Sequence, residues 1–136
     1  MERHAGRSLQ KTSWVIVGND LRVVPFAILD SPFFGNAALN GIGEDRLRVC
    51  AGDIISDASL REYLGTGYDL VLANIVAHVI IPLSAVARRF MAENGVFICS
   101  GIIEHRWPET ADALRANGFE IINHLSDEEW HCFVCR

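Results

Sequence analysis

Three apolar runs in this sequence end at a polar residue whose side chain is able to contact a ligand. Asp53 follows the first run, Asn74 the second and Ser100 the third. Because ligands of open α/β sheets bind outside the carboxyl ends of the strands, we expect these side chains to line one crevice. Each also has a simpler interpretation, namely an Asx turn, a turn or helix cap, and a small residue at a strand exit. The occurrence of all three side chains at strand ends favours a ligand-binding site.

Other polar residues are weaker candidates. His78 lies just beyond Asn74, where a solvated histidine in a turn is the simpler interpretation. Residues 104–106 (EHR) contain an acid and a base, but a polar loop at a helix entrance explains them equally well. The sequence has no GxSxG elbow, P-loop, HExxH motif or glycine-rich cofactor fingerprint. Since all of these motifs are absent, no reaction is assigned from a short motif.

The four cysteines are expected to be structural. Three lie in strand-like apolar runs, where a free cysteine behaves as a small hydrophobic residue. Cys132 and Cys135 have CxxC spacing, but a redox pair of that kind needs a helix start, and this pair lies in a strand-like stretch. A zinc site is not expected either, since His124 and His131 do not supply a second pair of ligands at matching spacing.

The elements that must position these residues are strands and helices in alternation. Strands are predicted at 47–51, 68–74 and 96–99, and the second is an apolar run typical of a strand buried on both faces. A short segment at 33–40, closed by Gly41, precedes them. Helices are predicted at 58–64, 82–91 and 108–117, with Asp57 as N-cap of the first, Pro82 as the first residue of the second and residues 93–95 after its end.

Further strands are predicted at both ends of the chain. Segments 119–125 and 130–135 are joined by a turn too short for a crossover helix, so they pair antiparallel or lie apart. Two short strands around a turn are predicted within 14–29, and residues 1–12 read as a frayed start. The pattern predicts an α/β sheet, mostly parallel, with an antiparallel C-terminal hairpin.

The charge and hydropathy of the chain limit its partners. Its 136 residues carry 12 Lys plus Arg and 17 Asp plus Glu, a net charge of −5, so no overall basic field attracts nucleic acid. The apolar stretches are far shorter than the roughly 18 residues that a membrane span needs. We expect a soluble cytoplasmic protein of one domain, with no membrane partner and no direct nucleic-acid partner.

Several segments together resemble the catalytic domain of the ribosomal protein L-eleven methyltransferase (PrmA) family. They occur in order at 36–42 (NAALNGI), 51–53 (AGD), 68–75 (YDLVLANI), 79–83 (VIIPL), 95–103 (GVFICSGII) and 129–130 (EW). The most specific piece is the asparagine stretch that continues through Pro82, and the SGII piece supports it. The chain is similar to this family from about residue 35 to its last residue.

The resemblance implies a Rossmann-like class I methyltransferase fold, S-adenosyl-L-methionine as cofactor and amino groups of a large-subunit ribosomal protein as methyl acceptors. Carried over by position, Asn74 faces the methyl-transfer centre and is the candidate catalytic residue. Asp53 would contact the adenine side of the cofactor, and Ser100 would form part of the nearby wall of the site. Asp30 would take the place of the acidic residue that binds the ribose. An amide suits in-line attack by a neutral amine, because it orients the amine without adding charge.

The family also has a glycine-rich loop after its first strand and a separate N-terminal recognition domain, and residues 1–34 contain neither pattern. The sequence therefore predicts a non-matching segment at 1–34 and a partial methyltransferase domain at 35–136, with the N-terminal part of the fold incomplete. Two alternatives stay open. One is a non-catalytic methyltransferase fragment without cofactor binding, and the other is a Rossmann-like methyltransferase of another substrate class.

Overall fold

The computed structural model describes residues 14–18, 21–25, 33–43, 45, 47–50 and 52–136. The strands within these ranges are β1 (Trp14–Gly18), β2 (Leu21–Pro25), β3 (Leu47–Val49), β4 (Tyr68–Asn74), β5 (Met91–Ile103), β6 (Ile121–Asp127) and β7 (Trp130–Cys135). The helices are α1 (Phe33–Leu39), α2 (Ala58–Leu64), α3 (Ala77–Ala87) and α4 (Trp107–Ala116), with short 3-10 helices at Arg88–Phe90 and Glu104–Arg106. None of the described helices has the length and apolar character needed to cross a membrane.

All of these strands lie in one sheet, in the order β3-β2-β1-β4-β5-β7-β6. β4 is parallel to β5 and β2 is parallel to β3, whereas β1 and β7 are antiparallel to both of their neighbours. Strands β2 to β6 therefore point in one direction and β1 and β7 in the other. The predicted α/β sheet with an antiparallel C-terminal hairpin is confirmed as a mixed sheet, in which five of the seven described strands point the same way but only two of the six strand pairs are parallel. The strand pair near the start is also confirmed.

The core joins residues of the sheet to residues of α2, α3 and α4, and α2 contributes Leu60 and Leu64. The buried residues of α3 and α4 are Ala77, Ile80, Leu83, Ser84, Ala87, Thr110, Ala111 and Leu114. β4 contributes Val71 and Ala73 to the core, but Leu70 is 37% exposed and Leu72 is half-buried. The prediction that β4 is buried on both faces is therefore wrong. Alternate residues of a strand point to opposite faces, and Val71 and Ala73 lie on the face that belongs to the core.

Several predicted bounds agree closely with the structure. α2, β4 and β7 span the predicted residues. Gly41 follows the end of α1 with φ of 68°, the left-handed conformation typical of a residue just beyond a helix. α4 begins at Trp107, one residue before the predicted start, and β3 ends earlier than predicted, at Val49.

The predicted start of α3 is wrong. The helix begins at Ala77, so that Pro82 lies inside it. An interior proline costs a helix about 3 kcal/mol, whereas full burial of an isoleucine contributes about 1.5–3 kcal/mol. Ala77 and Ile80, which are 5% and 0% exposed, reach the core only if the helix begins before the proline. Burial of both side chains, together with the backbone hydrogen bonds of the added first turn, thus offsets the cost of the interior proline.

The predicted start of β5 at residue 96 is also wrong, because the strand begins at Met91. Its pairing with β4 shifts register between Tyr68↔Met91 and Leu70↔Val96. Gly95 is buried at this shift, and a Cβ there would lie 2.8 Å from the Tyr68 carbonyl oxygen. Glycine therefore permits a close backbone approach inside the strand, where the sequence pattern indicates a helix end.

Replacing Asp57 by alanine is expected to lower the free energy of unfolding by about 1 kcal/mol. Asp57 Oδ1 accepts a hydrogen bond of 3.0 Å from the Leu60 N–H and so satisfies a donor at the start of α2. Urea unfolding measures the change. Asp69→Ala, which removes an exposed carboxylate from β4, is the control and is expected to change stability by less than about 0.5 kcal/mol. Equal losses in both variants would contradict the capping role.

Candidate active site

Asn74 and Ser100 lie side by side at the carboxyl ends of β4 and β5. They are register partners in the parallel pair, and the next backbone amide, Ile75 N–H, donates a hydrogen bond of 2.9 Å to the Ser100 carbonyl. The Asn74 side chain is exposed, whereas Ile75 beside it is buried. The two strand ends are therefore fixed to each other, and they present the Asn74 amide at a defined place on the sheet edge.

Gly101 lies directly against the Asn74 amide. Its φ of +84° is a left-handed conformation that other residues rarely adopt. A Cβ on this residue would lie 3.0 Å from Asn74 Oδ1, 3.0 Å from the Ile75 carbonyl oxygen and 3.1 Å from the Ile75 nitrogen. Glycine is thus required on two grounds, and the fit between Gly101 and Asn74 restricts where the amide points.

Asp53 belongs to another part of the same edge. Its strand β3 is separated from β4 by β2 and β1, so the two strand axes are about 14 Å apart at ordinary strand spacing. The carboxylate of Asp53 accepts hydrogen bonds of 2.9 Å from Ile55 N–H and 2.6 Å from the Ser56 hydroxyl. The Ser56 hydrogen bond, with help from the Ile55 amide, holds the pKa of Asp53 below its ordinary value. The structure thus brings Asn74 and Ser100 together but not Asp53, and Asp30 lies outside the described residues.

A small cleft opens next to Gly101, with a volume of about 170 Å³. Its lining residues are Val76, Ala77, His78, Gly101, Ile103, His105 and Arg106. Pockets for drug-sized ligands usually measure about 300–1,000 Å³, so this cleft suits one side chain rather than a complete cofactor. His78 and His105, two of the weaker sequence candidates, therefore line the same space beside the Asn74–Gly101 pair.

The strand on the other side of β4 is β1, which runs in the opposite direction. Trp14, the first residue of β1, pairs with Asn74, whereas Gly18, its last, pairs with Leu70. The carboxyl end of β1 therefore lies away from the edge that carries Asn74. The described residues fit the β4–β5 side of a cofactor site, and they do not supply a glycine-rich loop at the end of the first strand.

Three titratable side chains, Glu104, His131 and His124, contact one another in a row beyond β5 at this end of the sheet. His131 Nε2 lies 2.6 Å from Glu104 Oε2, and His131 Nδ1 lies 2.8 Å from Nε2 of His124. The Trp107 ring stacks on His131 at 5.7 Å and contacts His124 at 4.9 Å between centroids. No short motif contains this arrangement, because Glu104 and His131 are 27 positions apart. The sequence does contain one indication of this contact, since His124 and His131 lie on either side of the predicted hairpin turn.

Two of the four cysteines are buried in the sheet. All four are free, and no group of three or more metal-binding side chains occurs in the part of the chain that the structure describes. Cys99 and Cys135 are buried on adjacent strands. A hydrogen bond to Cys135, together with burial, raises the pKa of Cys99, so its thiol stays protonated.

The sequence profile described as "Ribosomal protein L11 methyltransferase (PrmA)" matches residues 16–136. The ribosomal protein L11 methyltransferase of Lachnoclostridium phytofermentans is 42% identical over 94 residues, which make up 68% of this chain and 28% of the relative. That of Lachnospira eligens is 39% identical over 121 residues, or 88% of this chain and 37% of the relative. The chain thus spans about a third of the length of these relatives.

Solved structures agree with the sequence matches. A ribosomal protein L11 methylase from Lactobacillus delbrueckii subsp. bulgaricus superposes with a TM-score of 0.68 at 26% identity, over 83% of this chain and 56% of that one. Fibrillarin of Aeropyrum pernix, which contains natively bound S-adenosyl-L-methionine, superposes at 0.55 over 83% of this chain and 54% of that one. Its 15% identity bears on the fold alone. The predicted Rossmann-like class I methyltransferase fold is confirmed.

Proposed function

The chain belongs to the ribosomal protein L11 methyltransferase family, and from this premise we propose that it forms the C-terminal part of the catalytic domain of an S-adenosyl-L-methionine-dependent protein methyltransferase. The observation that carries the proposal is the exposed Asn74 amide, which lies against Gly101 where β4 and β5 end. This position falls within the most specific piece of the sequence resemblance.

Methyl transfer to an amine requires mainly alignment from the protein. When bound, S-adenosyl-L-methionine supplies a methyl group on a positively charged sulfur. The acceptor nitrogen must be neutral and in line with that methyl, because its lone pair forms the new bond. Asn74 Oδ1 is suited to accept a hydrogen bond from the amine N–H without adding a charge that would favour the ammonium form. Gly101 and the bond between Ile75 and Ser100 hold the amide in place.

We propose Asn74, Ser100, Asp53 and Asp30 as cofactor-binding residues. The adjacency of Asn74 and Ser100 supports a role for both at the methyl end of the cofactor. Asp53 lies farther along the same edge, which suits the other end of an extended ligand. The bound cofactor named for the fibrillarin of Aeropyrum pernix supports the cofactor class.

The proposed acceptors are lysine or N-terminal amino groups of a large-subunit ribosomal protein, and the proposed location is the cytoplasm. The names of the relatives support a ribosomal protein as substrate. The size of the cleft beside Gly101 supports entry of a single side chain. The net charge of −5 supports a basic protein acceptor rather than direct binding of nucleic acid.

Two measurements test the proposal. Calorimetric titration with S-adenosyl-L-methionine is expected to give saturable binding that S-adenosylhomocysteine displaces. A labelled methyl group is then expected to transfer to purified ribosomal protein L11, and acetylation of the amino groups of L11 is the control that abolishes the transfer.

The contrary outcomes separate the alternatives. If millimolar cofactor gives neither heat nor a change in tryptophan fluorescence, the chain is a non-catalytic fragment. If the cofactor binds but the label enters RNA or a small molecule instead of L11, the chain belongs to a methyltransferase of another substrate class.

A further inference from the structure

His131 connects the exit of β5 to the β6–β7 hairpin through both of its ring nitrogens. Nε2 contacts Glu104 and Nδ1 contacts His124, while the ring itself is only 6% exposed. We propose that His131 is a positioning residue, which holds Glu104 and thereby the wall of the cleft beside Asn74. Its importance for the reaction rests on the proposed function of that cleft.

The backbone pairing of β5 with β7 fixes this wall of the cleft only in part. β5 pairs with β7 up to Cys99 and again from Ile102, with a register shift between the two pairs. Ile103 is the last residue of β5, and Glu104 opens the 3-10 helix that follows. Ile103 and the two residues after Glu104 line the cleft. The contact between Glu104 and His131 therefore fixes the wall where the strand ladder ends.

The hydrogen bonds among the three side chains fit a state in which both rings are neutral. With both rings neutral, His131 Nε2–H donates to the Glu104 carboxylate and His124 Nε2–H donates to His131 Nδ1. One added proton occupies the outer nitrogen of His124 and leaves both hydrogen bonds intact. The added charge lies on a ring that packs against Trp107 and Phe133, where burial disfavours the charged form and lowers the pKa of His124. The contact is thus sensitive to acid.

The surroundings of the two rings are mostly uncharged. Trp107 of α4 covers both rings, and Phe133 of β7 lies 4.5 Å from the centroid of His124. Ile102 is the β5 residue paired with His131. Other titratable residues on the adjoining elements include His105 and Arg106 in the 3-10 helix, Glu109 in α4, which pairs with Arg106, Asp127 in β6 and Cys132 in β7.

The pKa values of His124 and Glu104, which lie on either side of His131, are shifted in the same direction. Burial, with repulsion from His131, lowers the pKa of His124, and the hydrogen bond from His131 lowers the pKa of Glu104. A group with a lowered pKa binds protons less readily in the folded state, so its contribution is present at high pH and is lost as the pH falls. Ordinary values are about 6.5 for histidine and about 4.3 for glutamate, so weakening begins near the first value and continues past the second.

Hydrogen exchange of the backbone amides of residues 102–106, measured by NMR on the cofactor-free chain, tests this role. Glu104→Gln keeps the size of the side chain and removes its charge, so we expect exchange about 10-fold faster than wild type near neutral pH. Glu93→Gln, which changes an exposed carboxylate in the first part of β5, is the matched control and is expected to exchange like wild type.

His124→Phe tests the acid sensitivity. It keeps an aromatic ring against Trp107 and removes the nitrogen that faces His131. The protection factor of these amides, which is the intrinsic exchange rate at each pH divided by the observed rate, is expected to fall in wild type between about pH 7 and about pH 5, and His124→Phe is expected to abolish this fall. A wild-type exchange rate in the Glu104→Gln variant, or a persistent fall of the protection factor in His124→Phe, overturns the proposal. Cofactor titrations are read separately, so failure of wild type to bind cofactor contradicts the proposed function but not the positioning of the wall.

Discussion

Replacing Asn74 by alanine is expected to lower the rate of methyl transfer about 100-fold while stability changes by less than about 0.5 kcal/mol. The side chain is exposed, so its removal sacrifices little buried surface. What is lost is the group that we propose orients the acceptor amine, and a misplacement of about 1 Å costs on the order of 100-fold in rate. Single-turnover experiments with labelled cofactor and L11 measure this loss apart from binding.

Asn94→Ala is the matched control, because Asn94 is an exposed asparagine of β5 in the same sheet, far along the strand from Ser100. Its rate is expected to stay within about twofold of wild type. Asn74→Asp separates shape from charge: the carboxylate favours the ammonium form of the acceptor, so the pH at which transfer becomes fast is expected to rise. A wild-type rate in Asn74→Ala would contradict the role of Asn74 but not the family of the chain.

The neighbourhood of Asn74 is predictable from sequence because it depends on local patterns. The apolar run that ends at Asn74 forms β4 with the predicted bounds. The next strand in sequence, β5, is also its neighbour in the sheet, so Asn74 and Ser100 meet as expected. Where consecutive strands pair, reading the chain in order gives the geometry.

Asp53 is farther from Asn74 than the sequence suggests, because strand order is a long-range property. β3 precedes β4 in the chain, but β2 and β1 lie between them in the sheet. A run of apolar residues indicates that a strand exists and not which strand lies beside it. The direction of β1, antiparallel to β4, is hidden from sequence for the same reason.

Tertiary contacts also explain the other differences. Pro82 indicates a helix start by local rules, and the core position of Ile80 overrides it. The contact of Glu104 with His131 joins residues 27 positions apart, so no short motif contains it. The hairpin register does place His124 opposite Phe133, two residues from His131, and thus on the same face.

Replacing Gly101 by alanine is expected to lower the free energy of unfolding by about 3 kcal/mol, from two separate causes. A non-glycine residue at a φ of +84° costs about 1–2 kcal/mol, and forcing a methyl group into a filled space costs about 1–3 kcal/mol more. The methyl group would press on Asn74 Oδ1 and on the Ile75 backbone, so the methyl-transfer rate is expected to fall with stability.

Gly118→Ala isolates the first cause, since Gly118 has the same φ of +84° but nothing within 4 Å of an added Cβ. Its loss is expected to be about 1–2 kcal/mol in urea unfolding, and the difference between the two variants measures the crowding around Asn74. In the double variant Asn74→Ala/Gly101→Ala the contact with Oδ1 is absent while the contacts with Ile75 persist. The two losses are therefore expected to be non-additive, with the double variant more stable than their sum predicts. Equal losses in Gly101→Ala and Gly118→Ala, or strict additivity in the double variant, would show that Gly101 serves only its own backbone conformation and does not set the position of the Asn74 amide.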